Sequence, residues 1–508
     1  VSSADPDVIV IGSGPNGLTA ACTLAMAGLR ILVLEAHPTR PGGALASEQA
    51  TLPGFVHDVG AGFFPFHRAS RAFQHLDLTA HGLVWAYADI ESCHPAPDGS
   101  VACITRDSDV SAARFGTRED GERWRTLVRW HAGIERALLD ALLEPVPAIR
   151  PLLRLLPFDV LRVASVLLSS GRGFSTRWFR SAAARRVLPS LALHVDVGPD
   201  DRFGAGLGYM LGLTASTGGN AVPRGGAGAI TDTLVAVLKR HGGQLLLGHH
   251  VDRILVSNGR ASGVRVSHGT DVVDISANRA IFADTSAPSL LLELVERKLV
   301  PGRIVRKMER FPFGWGTFKL DWALSGPVPW MCEPARHSAV VHAGDDLDDL
   351  ARFTHEVRAG NIPEHPYLVM GQQSLIDPSR APPGKHTLWA YSRVPSHVSG
   401  GWDAHKEVFA DRVEDRIEGL APGFKALVLA RRCVSPHDLE QMDANLVGGD
   451  LGGGSNAWYR QLVFRPSFPY FRYRMPVRGL YLCSSYAHPG AGVHGMCGYN
   501  AARVALRD

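Results

Sequence analysis

No run of about 18 apolar residues occurs anywhere in the 508-residue chain, so a membrane-spanning helix is not expected. Charge of one sign is also lacking. With 53 Lys and Arg against 49 Asp and Glu, the net charge is only +4, too small to point to nucleic acid. The seven cysteines (22, 93, 103, 332, 433, 483, 497) include no C-x-x-C pair. A disulfide scaffold is therefore not expected, nor is a metal site. Reduced, packed thiols in a cytoplasmic protein are the expectation, although Cys93 and Cys103 are spaced to flank a hairpin. The first expected strand starts near Asp7, which leaves no room ahead of it for a secretory leader.

What is present begins at once. Asp7 to Ile11 is a short β-branched run of the kind that forms a buried parallel strand. It runs into Gly12-Ser13-Gly14-Pro15-Asn16-Gly17, which is G-x-G-x-x-G. A helical pattern follows from Asn16 to Ala27, and a second buried strand from Ile31 to Leu34 ends at Glu35. Gly12 permits the tight turn, Gly14 lets backbone approach a pyrophosphate, and Gly17 lets the helix pack close. The helix N-terminus offers unpaired N–H groups and the positive end of its dipole to phosphates. Glu35, about 20 residues after the glycines, can accept ribose hydroxyls and disfavours a 2′-phosphate. Strand, turn, helix, strand and acid in register predict a dinucleotide site. Pro41-Gly42-Gly43 is a second glycine turn where the chain can pass close to that cofactor.

Further along, Pro223 to Gly228 is a glycine-rich turn before a helix over 229–241. Strands are expected at 244–247, 250–256 and 261–267, with a hairpin turn at Asn258-Gly259, and at 280–283 before Asp284. Val251 is placed beside the adenine. Gly479 to Ser485 reads as a buried strand and loop. Beyond His488-Pro489-Gly490-Ala491-Gly492-Val493-His494 a small-residue helix is expected from Gly495. Its N-terminus would face the negative charge of a reduced cofactor ring.

These segments together resemble the phytoene-dehydrogenase-related family of FAD proteins, within the amine-oxidase-like flavoprotein superfamily. The end segment is most similar to the branch that contains the mammalian pyridine nucleotide-disulphide oxidoreductase domain-containing protein 2. The residues that carry the likeness are Val8 to Glu35, Gly42-Gly43, Gly54-Phe55 with Asp58-Val59-Gly60, and Gly225-Gly226-x-Gly228. Gly259-Arg260 with Gly263-Val264, Ala283-Asp284, Gly448-Gly449-Asp450 with Gly452-Gly453, and Gly479 through Gly492 complete the set. The resemblance implies an α/β protein with a discontinuous Rossmann-like FAD domain (1–75, 216–290 and 441–508). An inserted α+β substrate domain (76–215 and 291–440) would carry a helical cap over 120–200.

The resemblance also implies that FAD is held by Gly12, Gly14, Pro15, Asn16, Gly17, Glu35, Ala36, Arg40, Gly42, Gly43 and Ala44. Gly60, Ala61, Gly62, Val251, Asp284, Ser484, Ser485, Gly492, Val493 and His494 complete the FAD set. Two departures stand out. Ala44 replaces an arginine that usually follows the second glycine pair, which leaves Arg40 as the nearer phosphate partner. Ser484 replaces a glycine after the terminal strand and its cysteine.

In amine-oxidase relatives a substrate-domain strand brings a lysine next to flavin N5 through a water, and Phe313 to Leu320 is similar to that strand. Lys319 would be this lysine, with Asp321 as its partner, since an isolated buried ammonium is costly. His57, His67, His488 and His494 are candidate acid/base groups, the last two entering the catalytic set with Lys319. Phe63, Phe64, Phe66, Phe313 and Trp315 suggest an aromatic pocket for an apolar, polyene or lipid-like small molecule. The implied reaction passes a hydride from a C–C bond to flavin, with oxygen or a quinone as final acceptor. An amine oxidase and a non-catalytic flavin-binding protein are the competing readings. Residues 150–186 hold eight arginines among leucines against a single acid, Asp159. They read as a cap with a solvated basic face or as a peripheral membrane contact, and the cap is preferred.

Overall fold

The computed structural model describes residues 5–508; positions 1–4 of the expected first segment lie outside the described residues. Strand β1 (Val8–Ile11), helix α1 (Pro15–Met26) and strand β2 (Ile31–Leu34) follow one another as the sequence pattern requires. Both strands are fully buried, which is why they read as unbroken apolar runs. They sit inside a five-stranded parallel sheet ordered Leu480–Leu482, Ala280–Ala283, β1, β2, Gln244–Leu246. The sheet is thus gathered from distant parts of the chain. The last helix, Met496–Ala505, packs along α1. A Cβ on Gly498 would lie 1.9 Å from the Asn16 carbonyl oxygen, so glycine is what allows this approach.

A three-stranded antiparallel layer comprises His250–Ser257, Arg260–His268 and Asp271–Ser276. Asn258 and Gly259 both have positive φ (50° and 69°), as the hairpin signal requires. The third strand escaped the sequence reading. Most of its residues are exposed, so it shows no alternation.

A seven-stranded mixed sheet forms the other half, in the order 428–434, 316–324, 386–394, 368–371, 338–343, 90–95, 101–104. Its second strand is Gly316–Leu324, beginning three residues later than the run expected from Phe313. The Gly314 N–H is bound to the Asp450 carboxylate at 2.8 Å instead of to a neighbouring strand. Phe318, Leu320, Trp322 and Leu324 face a core with Phe409, Val413 and Ile417 of the helix Lys406–Leu420. The alternate residues, Thr317 and Lys319, face the opposite way, toward a cavity. Cys93 and Cys103 pair across a hairpin with sulfurs 3.6 Å apart and remain free thiols.

Helices between Arg118 and Gly218 make the cap, with Trp124, Phe174, Leu188 and Leu213 in its core. Of the arginines over 150–186, Arg186 is buried, Arg162, Arg172 and Arg185 are half-buried, and Arg150, Arg154, Arg177 and Arg180 are exposed. Arg172 binds Asp200 and Asp348, and buried Arg186 binds the carbonyls of His94, Ser100 and Asp345. Large apolar side chains point outward, led by Leu153 and Leu161 at 79% and 70% exposure.

Candidate functional site

One cavity of about 1250 Å³ runs from the glycine turn before α1 to the seven-stranded sheet. Gly14, Pro15, Asn16, Gly42, Ala44, Gly60, Ala61 and Gly62 line it, as do Asp284, Ser484, Ser485, Gly492, Val493, His488, His494 and Lys319. The five expected aromatics line it as well.

Gly12 and Gly17 stand behind this wall. Gly12 has φ +89°, and a Cβ on Gly17 would come 2.5 Å from the Gly12 carbonyl oxygen. Glu35 receives the Ser13 N–H and hydroxyl on one oxygen and the His37 N–H on the other, which fixes its carboxylate beside the turn. Ala36 next to it is exposed. Arg40 donates to the Gly43 carbonyl oxygen at 2.7 Å, within the second glycine turn, and neither residue reaches the cavity wall. Val251 lies in the core and off the cavity; its strand is held beside Glu35 by the His249 N–H on the Glu35 carbonyl, 2.8 Å.

Asp284 acts from a distance of 267 residues. Its carboxylate accepts the Gly17 N–H at 2.7 Å, taking one of the free donors at the start of α1. Complete burial pushes its carboxyl up to about 7. A second acid, Asp58, holds the Gly60–Gly62 strip: it binds both amino groups of Arg380 and accepts the Ser47 hydroxyl and the Ala227 N–H.

The four histidines are all driven down to about 4, foremost by burial. They are neutral at physiological pH, so none supplies an imidazolium. His57 and His67 lie off the cavity, bound to Thr51 and to Phe64 and Tyr87. His488 uses Nε2 on the Glu144 carbonyl. His494 accepts the Met496 N–H on Nδ1, which puts its proton on Nε2, and that atom has no partner. It thereby caps the last helix and covers the terminus expected to face the cofactor.

Lys319 is 6% exposed and binds both oxygens of Asp321 at 2.5 Å. Asp321 also has His57 at 3.6 Å. The pair is therefore a buried, neutral unit whose ammonium retains one free N–H on the cavity side.

Some lining residues went unremarked in the sequence. Asn445 donates to the Asp284 carbonyl at 3.0 Å, and His194 bonds His342 at 2.8 Å. Trp389, Tyr391 and Arg393 occupy alternate positions of one strand. That period of two was the one local signal available for them.

Comparison with known proteins bears on this geometry. Residues 10–77 match the family model of the NAD(P)-binding Rossmann-like domain. The mouse (Mus musculus) pyridine nucleotide-disulfide oxidoreductase domain-containing protein 2 is 29% identical, over 99% of this chain and 93% of its own. A limonene dehydrogenase chain of Castellaniella defragrans is 24% identical over 99% and 94%, and phytoene desaturases also match. The chain is similar to the first two of these proteins along nearly its whole length. The solved cyclohexylamine oxidase of Brevibacterium oxydans shares the fold, with a TM-score of 0.61 at 17% identity, covering 99% of each chain. The α/β architecture expected from the sequence is borne out, with a Rossmann-like match over residues 10–77 and a fold shared with that structure.

Proposed function

We propose that the cavity holds FAD and that the enzyme removes hydrogen from a C–C bond of a largely apolar substrate. The carrying observation is the continuity of the cavity from the Gly14–Asn16 turn, past Gly42 and Gly60–Gly62, to Lys319 and the 484–494 loop. Two buried polar atoms on its wall, Asn16 Oδ1 and His494 Nε2, have no protein partner, as expected of groups kept for a ligand. Glu35 would take the adenosine ribose and the α1 N-terminus the pyrophosphate. Bound there, FAD supplies the acceptor for two electrons and a proton, delivered as hydride. The chain orients the substrate against Phe63, Phe66 and Trp389, excludes water, and orders one water through the free N–H of Lys319.

Releasing the cofactor from purified protein and identifying it by chromatography tests the assignment; FMN or NAD would overturn it. Glu35→Ala should weaken FAD binding by about 1–3 kcal/mol, measured by titrating the apoprotein.

Lys319→Met should slow flavin reduction or reoxidation by about tenfold, roughly 1.4 kcal/mol of barrier, in stopped-flow measurements. The variant also strips Asp321 of its partner, so Lys319→Met/Asp321→Asn is run beside it. Rates within about twofold of wild type for both would remove Lys319 from the reaction. An amine substrate would need the same lysine, and peroxide release with amines distinguishes that reading.

Membrane contact is the second element of the proposal. No described helix is long and apolar enough to cross a membrane. Yet Leu152, Leu153, Leu156, Phe158, Leu161 and Leu168 are exposed beside Arg150 and Arg154, and neighbouring Leu167 lines the cavity. This is the composition of a helix lying in a bilayer surface. The protein should co-sediment with vesicles containing anionic lipid, and Leu153→Ser/Leu161→Ser should release it. Equal sedimentation of the double variant would sink the contact.

A further inference from the structure

Arg393 is 4% exposed and lines the cavity, yet among the described residues it has no carboxylate partner. Its guanidinium donates to the Thr317 hydroxyl at 2.6 Å and to the His194 carbonyl, and it lies 5.3 Å from the centre of the Tyr391 ring. Its Nε has no partner at all. The other buried arginines are provided for. Arg380 has Asp58 and Asp377, Arg186 is wrapped by carbonyl and hydroxyl oxygens, and Arg465 binds the carbonyls of Gly452, Gly453 and Ser485. An arginine stays charged in any protein, so a buried one without a counter-charge is expensive unless a ligand completes it.

Most other charged groups on this wall have partners of their own. Lys319 is neutralised by Asp321, and Arg358 binds Asp201. His194 is pushed down to about 3 by burial and by Arg393, and is neutral. Asp196 accepts the Ser455 hydroxyl and the backbone and side-chain N–H groups of Asn456, and Asp450 is occupied with the N–H groups of Gly314, Gly452 and Gly454. Arg393 is therefore the buried arginine of this wall that no carboxylate pairs, and Trp389, Tyr391, Leu191 and Met210 are among the apolar and aromatic residues that share the cavity with it.

We propose that Arg393 is the subsite for a carboxylate on an otherwise apolar substrate. A carboxylate matches the planar fork of the guanidinium and balances its single charge, whereas a phosphate near −2 would leave an excess buried. Strand register puts Arg393 opposite Thr317 and Tyr391 opposite Lys319. Arg393 thus stands about 7 Å along the strands from the lysine. The reacting carbon and the carboxylate are then a few bonds apart. This last step rests on the proposed reaction at Lys319; the carboxylate site itself does not.

The experiment titrates purified holoprotein with decanoate, decanol, decylamine and decyl phosphate, following the flavin absorbance and the thermal midpoint. Decanoate should bind at least tenfold more tightly than the other three. Arg393→Met should lose at least tenfold for decanoate and leave decanol unchanged, and Arg393→Lys should recover part of the loss. Decanol or decyl phosphate equal to decanoate on wild type would overturn the proposal, as would no binding of decanoate. So would Arg393→Met within about twofold of wild type. The wild-type comparison decides even if Arg393→Met fails to fold. Cofactor content is measured in the same samples. A protein without FAD that binds decanoate through Arg393 refutes the cofactor and keeps the subsite; an FAD protein indifferent to carboxylates does the reverse.

Discussion

Arg380→Met is expected to cost about 3–5 kcal/mol of folding stability, the usual result of stripping one partner from a buried ion pair. Arg380 is 1% exposed and joins two acids: Asp58 at 3.0 and 3.2 Å and Asp377 at 3.2 Å. Removing it leaves both carboxylates in a protein interior, with hydroxyl and N–H donors but no cation. Asp58 carries the Gly60–Gly62 strip, so the cavity wall should loosen with it. Arg380→Lys keeps the charge but loses the fork, and should fall between. Urea unfolding monitored by tryptophan fluorescence measures the loss, and less than about 1 kcal/mol for Arg380→Met would show that the network is not structural.

Asp284→Asn is expected to work in the opposite direction, stabilising the protein above neutral pH. The native carboxyl is held up to about 7 against 3.8 in a free chain, so between these values the folded state binds a proton that the unfolded chain has released. This contribution to stability is complete below about pH 4 and is lost as the pH rises through 7. At pH 8 the ionised acid should cost as much as about 4 kcal/mol. Asparagine has no charge to bury and can still accept the Gly17 N–H. Denaturation of the apoprotein at pH 5 and pH 8 should show a falling stability for wild type and a nearly level one for the variant. Parallel curves would place the titration elsewhere.

Local patterns were the legible part. The β1–α1–β2 unit, the Asn258-Gly259 turn and the buried strand at 280–283 each depend on residues next to one another, and each stands where the pattern put it. The glycines of the turn were legible for the same reason. Asp284 could be placed near the cofactor by resemblance, but its bond to Gly17 depends on a pairing of distant strands that no window of sequence contains. Arg393, His194 and His342 belong to three elements that meet only once the large sheet has formed. The third strand of the small sheet was hidden because Val272 and Val273 face solvent together, which abolishes the period of two.

The parallel sheet has a consequence for synthesis. Its first strand is complete at Ile11, while the strand that flanks Ala280–Ala283 ends at Leu482 and the helix covering α1 ends at Ala505. At about 5–20 residues per second, the nascent glycine turn waits roughly 25–100 s for that cover. Until then one edge of the sheet and the apolar face of α1 remain open on the ribosome. A premature stop ahead of Leu480 would therefore release an uncovered edge and an uncovered apolar face of α1, a substrate for chaperones and proteases.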